Sequence, residues 1–187
     1  MDELIKSRMD EDEKILWQGG PDTIKALDKT NKKRFWVQLI IGAAVAAVLI
    51  ALYALNVKDD PKPSVFAIIL VICFFAPLRR LADAAAVRKL QYVVTDKRLM
   101  IVSSEARHVT LPRIQECALR TDEDGHLSFL AGPGALKARP SHWRDLSLIG
   151  QGTTEPDEPV NAFGFYAVKD KAGLRKALRQ VLPDVKE

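Results

Sequence analysis

The chain has 187 residues, a formal net charge of +4 and 48% hydrophobic residues. That length suits one ordinary domain plus a membrane anchor. Its two cysteines, Cys73 in an apolar run and Cys117 in a polar stretch, exclude a disulfide framework and fit a reducing compartment. The charge is modest, and the basic residues beside the apolar runs are explained by membrane orientation, so they are poor evidence for nucleic acid as a partner.

Residues 1–36 form a polar N-terminal segment with one strand-like stretch near 13–18, Glu13-Lys-Ile-Leu-Trp-Gln18, which ends at Gly19-Gly-Pro21. The segment is too long and too acidic for a signal peptide's n-region, so the apolar run after it reads as a retained anchor. That run, residues 37–57, has Gln38 and, at its end, Asn56 as its only strongly polar side chains. At roughly 1.5 Å per residue it spans about 30 Å, the thickness of a bilayer's hydrocarbon core. A buried helix of this length in a soluble protein would need a larger core than the remaining chain supplies.

A short charge-balanced loop, 58–63, leads to a second apolar run at 64–80. Pro61 and Pro63 can start a helix there, Arg79 and Arg80 can snorkel to headgroups, and the helix can continue to about residue 90. Pro77 is the expected kink. Lysines and arginines precede the first run (Lys25, Lys29, Lys32, Lys33, Arg34) and follow the second (Arg79, Arg80, Arg88, Lys89). Both termini are therefore expected in the cytoplasm, with only the loop outside. Trp36 and Tyr53 sit where interfacial aromatics belong. Gly42 with Ala46, and Ala43, Ala47 and Ala51 at every fourth residue, form small-residue stripes suited to close helix packing. Either the second span or another subunit can fill that role, so a homo-oligomer stays open.

From residue 91 the pattern changes to strands. Gln91-Tyr-Val-Val-Thr-Asp-Lys-Arg-Leu-Met-Ile-Val-Ser103 reads as two strands around a turn at Asp96-Lys97. Further strands are expected at 107–111, at 114–120, at 127–130 after the Asp124-Gly125 turn, and at 160–168. Pro112 marks a break. The spacing suggests an antiparallel barrel or sandwich. Residues 131–159 carry many glycines and prolines without periodicity and read as a long loop, in which Trp143 and residues 146–149 are apolar enough to tuck in. The end is helical, with Asp170 as cap and Leu174, Ala177, Leu178, Val181 and Leu182 on one stripe.

No catalytic constellation emerges. Asp122-Glu-Asp-Gly125 lacks the spacing of a calcium loop and reads as a solvated turn. His108, His126 and His142 lack metal-ligand spacing. No metal, cofactor or enzymatic activity is expected. Lys97 and Arg98 in the first hairpin turn are the one basic pair that invites an anionic headgroup, the alternative being structural pairing on Asp96 or the sheet.

The residues carry a resemblance. Glu13-Lys-Ile-Leu-Trp-Gln-Gly-Gly-Pro-Asp22, then Tyr92, Thr95, Asp96, Arg98 and Leu99, then Asp124, Gly125 and Phe129, then Phe163 or Phe165, Val168, Asp170 and Leu174 follow in order. In this the chain resembles the bacterial pleckstrin-homology-like membrane proteins, the YdbS-like group once called domain of unknown function 304. The resemblance implies a two-helix transmembrane hairpin in the cell inner membrane, plus a pleckstrin-homology-like antiparallel β-barrel with a C-terminal helix at 91–187. It implies no enzyme activity and leaves the ligand undefined. Photosynthetic complex assembly proteins carry a similar domain. Eukaryotic relatives of the fold hold lipid headgroups with basic residues near the turn that Lys97 and Arg98 occupy. The expected function is a non-enzymatic membrane-anchored binding or assembly protein whose partners are the bilayer and another integral membrane protein. The alternative is an anionic-lipid-sensing module using Lys97, Arg98 and the juxtamembrane basic residues.

Overall fold

The computed structural model describes residues 5–57, 62–149 and 158–186, so most of the expected external loop and residues 150–157 of the expected long loop lie outside it. The chain divides into two units. One is Ala26–Ala82; the other joins the residues up to Lys25 with those from Asp83 onward.

The first unit is helical. Asp28 caps helix α1 (Lys29–Asn56) by accepting the Asn31 N–H at 2.8 Å. The helix thus starts upstream of the apolar run that the sequence marks at 37–57. Helix α2 (Pro63–Val87) begins on a proline, whose fixed φ suits a first turn. Its halves, Pro63–Phe75 and Pro77–Val87, meet at 52°, because Pro77 has no N–H and its ring crowds the preceding turn. The two helices touch at Tyr53, whose ring meets Phe66 edge-on at 5.4 Å, and at Gln38, which accepts from Arg80 Nε at 3.1 Å. Gly42 and Ala46 are buried, and a Cβ at Gly42 would lie 2.5 Å from the Cys73 carbonyl. Ala43, Ala47 and Ala51 face outward. Helix α1 is long and apolar enough to cross a membrane; α2 meets the same test only with its bent halves counted as one span.

The second unit is built on two antiparallel sheets. Strands β1 (Ile15–Gly19), β2 (Gln91–Thr95), β3 (Arg98–Val102) and β4 (Ala106–Thr110) form a four-stranded sheet in that order. Strands β5 (Cys117–Thr121), β6 (Leu127–Ala131) and β7 (Phe163–Phe165) form a three-stranded one. The sheets do not join into the closed barrel that the resemblance implies. Between β4 and β5 the chain makes a 3-10 turn at Leu111–Arg113, where Pro112 cannot donate to a ladder. On the other side a single bridge, Pro21 with Val168, stands between β1 and the residues after β7. The strand expected over 160–168 is confined to Phe163–Phe165; past its end Ala167 takes φ 52°, which turns the chain out of the extended region.

Residues 131–159 are not a plain loop. They hold helix α3 (Pro133–Lys137) and helix α4 (Pro140–Ile149). Each starts on a proline, so the residues read as breakers are first-turn residues. Gly132 precedes α3 at φ 91°, where a Cβ would strike the Val160 and Asn161 carbonyls. Trp143 is buried, as its place in the sequence suggests, while Ile149 is exposed. The C-terminal helix α5 (Lys171–Val181) is capped by Asp170, which accepts from Gly173 N at 2.9 Å, and buries Leu174, Ala177 and Leu178.

An aromatic cluster forms the core. Phe165 lies 4.8 Å from Tyr92, 5.6 Å from Phe163, 5.8 Å from Phe129 and 6.5 Å from Trp17, ring centre to ring centre. Each such pair adds about 0.5–1.5 kcal/mol beyond its buried area. Trp17 reaches the cluster from β1, which pairs with β2 through Trp17 opposite Val94 and Gly19 opposite Tyr92. Its Nε1 donates to Asp170 Oδ2 at 2.9 Å, tying β1 to the start of α5. Ile15 and Leu16, beside a register shift in the strand, stay exposed. On the outer face of the larger sheet, Ile5 packs on Val93, Met100 and Val102.

Trp17→Ala is expected to lower unfolding stability by about 3–5 kcal/mol, as large aromatic deletions do. Trp17→Phe, which keeps most of the packing and loses the bond to Asp170, is expected to cost about 1 kcal/mol more than its lost area. Urea unfolding in detergent micelles, followed by circular dichroism of the strands, reads both.

Candidate functional site

The β2–β3 turn places Lys97 and Arg98 side by side. The N-terminal segment meets both. Lys97 Nζ lies 2.6 Å from Asp12 and 3.7 Å from Asp10; Arg98 lies 2.7 Å from Asp10 and 3.1 Å from Glu13. The hydrogen bond between them holds Asp12 below the usual carboxylate range and lifts Lys97 above its own. Glu13 has no exposed side-chain surface, receives Thr95 Oγ1 at 2.5 Å and accepts the Asp10 N–H at 3.1 Å. Thr95 Oγ1 in turn accepts the Arg98 N–H at 2.9 Å. The structural pairing therefore runs to Asp10, Asp12 and Glu13, not to Asp96, whose carboxylate accepts the Lys14 N–H. The sequence placed these acids near the strand without linking them to the turn.

A second polar group lies inside the unit, and sequence reading missed it. Asp122, expected in a solvated turn, is buried. Its Oδ1 accepts from the Asp124 and His126 amides; its Oδ2 meets His126 Nδ1 at 3.2 Å and accepts the Tyr166 hydroxyl at 3.1 Å. Four partners use the carboxylate's lone-pair directions, which makes it an anchor of the β5–β6 turn rather than a base with a free acceptor. Tyr166 is also faced by the buried Arg144 guanidinium, 5.8 Å from its ring. Nearby, Ser147 Oγ donates to the Gly164 carbonyl and accepts the Tyr166 N–H, both at 2.9 Å. Tyr92 donates to the Tyr166 carbonyl at 2.9 Å, and burial pushes its hydroxyl pKa well above the ordinary 10.0. The turn motif Asp122-Glu-Asp-Gly125 signals the turn but not which carboxylate faces inward.

The third feature is a groove along β5. That strand has β6 on one side only. A cleft of about 480 Å³ lies between its outer side and α3, lined by Ala118, Arg120, Leu136, Lys137 and Lys186 among others. A second, of about 160 Å³, adjoins it and shares Glu116, Leu136 and Lys186. Lys186 enters as a parallel bridge opposite Ala118, with Leu119 N donating to its carbonyl at 2.8 Å and its own N–H donating to the Cys117 carbonyl at 3.3 Å. Burial raises the Cys117 thiol pKa, so that side chain is a core filler at the groove's floor.

No protein-family model matches the chain, and no curated protein or solved structure matches it either.

A pH test follows from Tyr92. Its folded pKa is raised, so above pH 10 the unfolded chain loses this proton while the folded chain keeps it, and stability falls as pH rises. Tyr92→Phe is expected to cost about 1 kcal/mol at neutral pH and to flatten that alkaline slope, as unfolding midpoints between pH 8 and 11 would record. Glu13→Ala, which removes one of the two carboxylates on Arg98 and the acceptor of Thr95, is expected to cost about 1–3 kcal/mol.

Proposed function

We propose that this is a non-enzymatic, membrane-anchored binding protein: a two-helix hairpin in the inner membrane tethering a pleckstrin-homology-like domain on the cytoplasmic side, where it docks another membrane protein. The observation that carries the membrane part is the surface of α1. Only 17% of its most apolar window is buried, and Ile40, Ile41, Val48, Leu52 and Leu55 are more than half exposed. A core helix of a soluble protein would bury such side chains; lipid is the solvent that suits them. The lysines and arginines flanking the helices support the cytoplasmic placement of both termini. A four-stranded sheet, a three-stranded sheet and a closing helix, in that chain order, support the pleckstrin-homology-like reading.

The binding role rests on the β5 groove, a concave track beside an open strand edge. The lipid-sensing alternative is weaker, because Lys97 and Arg98 are engaged by Asp10, Asp12 and Glu13. In a variant lacking both native cysteines, Lys62→Cys is expected to react with a membrane-impermeant maleimide in intact cells, and Lys14→Cys only after permeabilisation. Crosslinking in native membranes is expected to join the chain to a second integral membrane protein. Recovery of monomer alone would remove the basis for the binding role. Lys97→Ala, which leaves the Arg98–Glu13 pair in place, is expected to keep partner crosslinking intact if docking is through the groove.

A further inference from the structure

We infer that the outer edge of β5 is a docking track for an extended, acidic segment of a partner protein, which adds as a strand in place of the chain's own residues 184–186. The inference deepens the binding role proposed above and rests on it. Backbone direction alternates along a strand. Cys117 and Leu119 turn their amide and carbonyl groups away from β6, since both bond to Lys186. By the same alternation, Leu119 C=O and Thr121 N–H point outward, and neither has a backbone partner among the described residues. The edge thus offers a run of acceptors and donors of which the chain itself fills two. The chain's own residue at that position is a template for the occupant: an extended backbone running parallel to β5. Two backbone hydrogen bonds to β5 and the packing of half-buried Val185 hold this segment, while the Lys186 side chain is exposed, so a longer strand with more ladder bonds can replace it.

The walls of the track give the chemistry of the partner. Ala118, Pro133 and Leu136 provide apolar contact for alternate side chains. Arg120 and Lys137 stand at the rim, exposed, and Lys137 has no ion-pair partner among the described residues. Glu116 is the one acid lining the larger cleft. With residues 184–186 displaced the rim keeps two cations against one anion, so a carboxylate-bearing strand is favoured over a basic one.

The test uses the full chain in lipid nanodiscs and a displayed library of random twelve-residue peptides. Enriched peptides, made synthetically and measured by fluorescence anisotropy, are expected to carry carboxylates and alternating apolar residues. Thr121→Pro removes an outward N–H from an edge position that tolerates proline, and Lys137→Glu reverses an exposed rim charge. Each is expected to weaken peptide binding about tenfold, while the thermal midpoint stays near that of the unmodified chain. Deleting residues 185–187 is expected to tighten binding about tenfold by removing the competitor. Enriched peptides that bind Thr121→Pro and the unmodified chain equally would overturn the inference, as would enrichment of basic peptides or none. A dimer that forms without peptide and is lost in Thr121→Pro would assign the edge to a second copy and overturn it too. If the crosslinked membrane partner is still recovered with Thr121→Pro, the groove fails while the binding role stands. If no partner is recovered from either form, both fail.

Discussion

The pairing of β1 with β2 is the constraint on which the rest of the folded domain depends. The two strands are neighbours in the sheet, yet the whole of α1 and α2 lies between them in sequence. Closing so long a loop costs entropy, although that cost grows only slowly with length. Trp17 offsets it. Its indole fills the aromatic cluster beside Phe165 and its Nε1 bonds to Asp170, so one side chain joins the first strand to the last helix. Gly19 and Gly173 give the ring its space; a Cβ at either would collide with it. The helical pair is accordingly an insertion into one folding unit, entered after Lys25 and left at Asp83.

The same N-terminal segment does two further things. Ile5 covers Val93, Met100 and Val102 on the outer face of the sheet, so β2 and β3 are buried on both faces. Asp10, Asp12 and Glu13 then neutralise Lys97 and Arg98 at the turn. The basic turn that reads as a headgroup site in sequence is paired in the structure with acids of the same chain, at a position that stays partly exposed. Among the described residues, a strand edge, a cleft and an exposed lysine coincide along β5.

Much of this was legible. The strands at 91–103, the Asp96-Lys97 turn, the Asp170 cap and the apolar stripe of α5 follow from period and turn chemistry, which are local properties. The unbroken runs Tyr92-Val-Val and Leu99-Met-Ile-Val also held a clue to two-sided burial, since a sheet with one wet face alternates. What was not legible depends on partners far apart in sequence. Nothing near Asp122 announces Tyr166, and nothing near Lys97 announces Asp12. The helices α3 and α4 were hidden because proline was weighed as a breaker when it stood at first-turn positions. The closed barrel failed for a reason that one proline and one residue with positive φ supply, but only Pro112 could be seen beforehand.

The central claim is that β1 and the strands after the helices unfold as one cooperative unit. Hydrogen exchange of the full chain in micelles, resolved to single amides, tests it most directly. The β1 amides paired with β2 are expected to exchange with the same protection as those of Val93 and Leu99, and to lose it together with them in Trp17→Ala. Free exchange along β1 while β2 and β3 stay protected would contradict it, and would make the first strand an attachment rather than part of the fold.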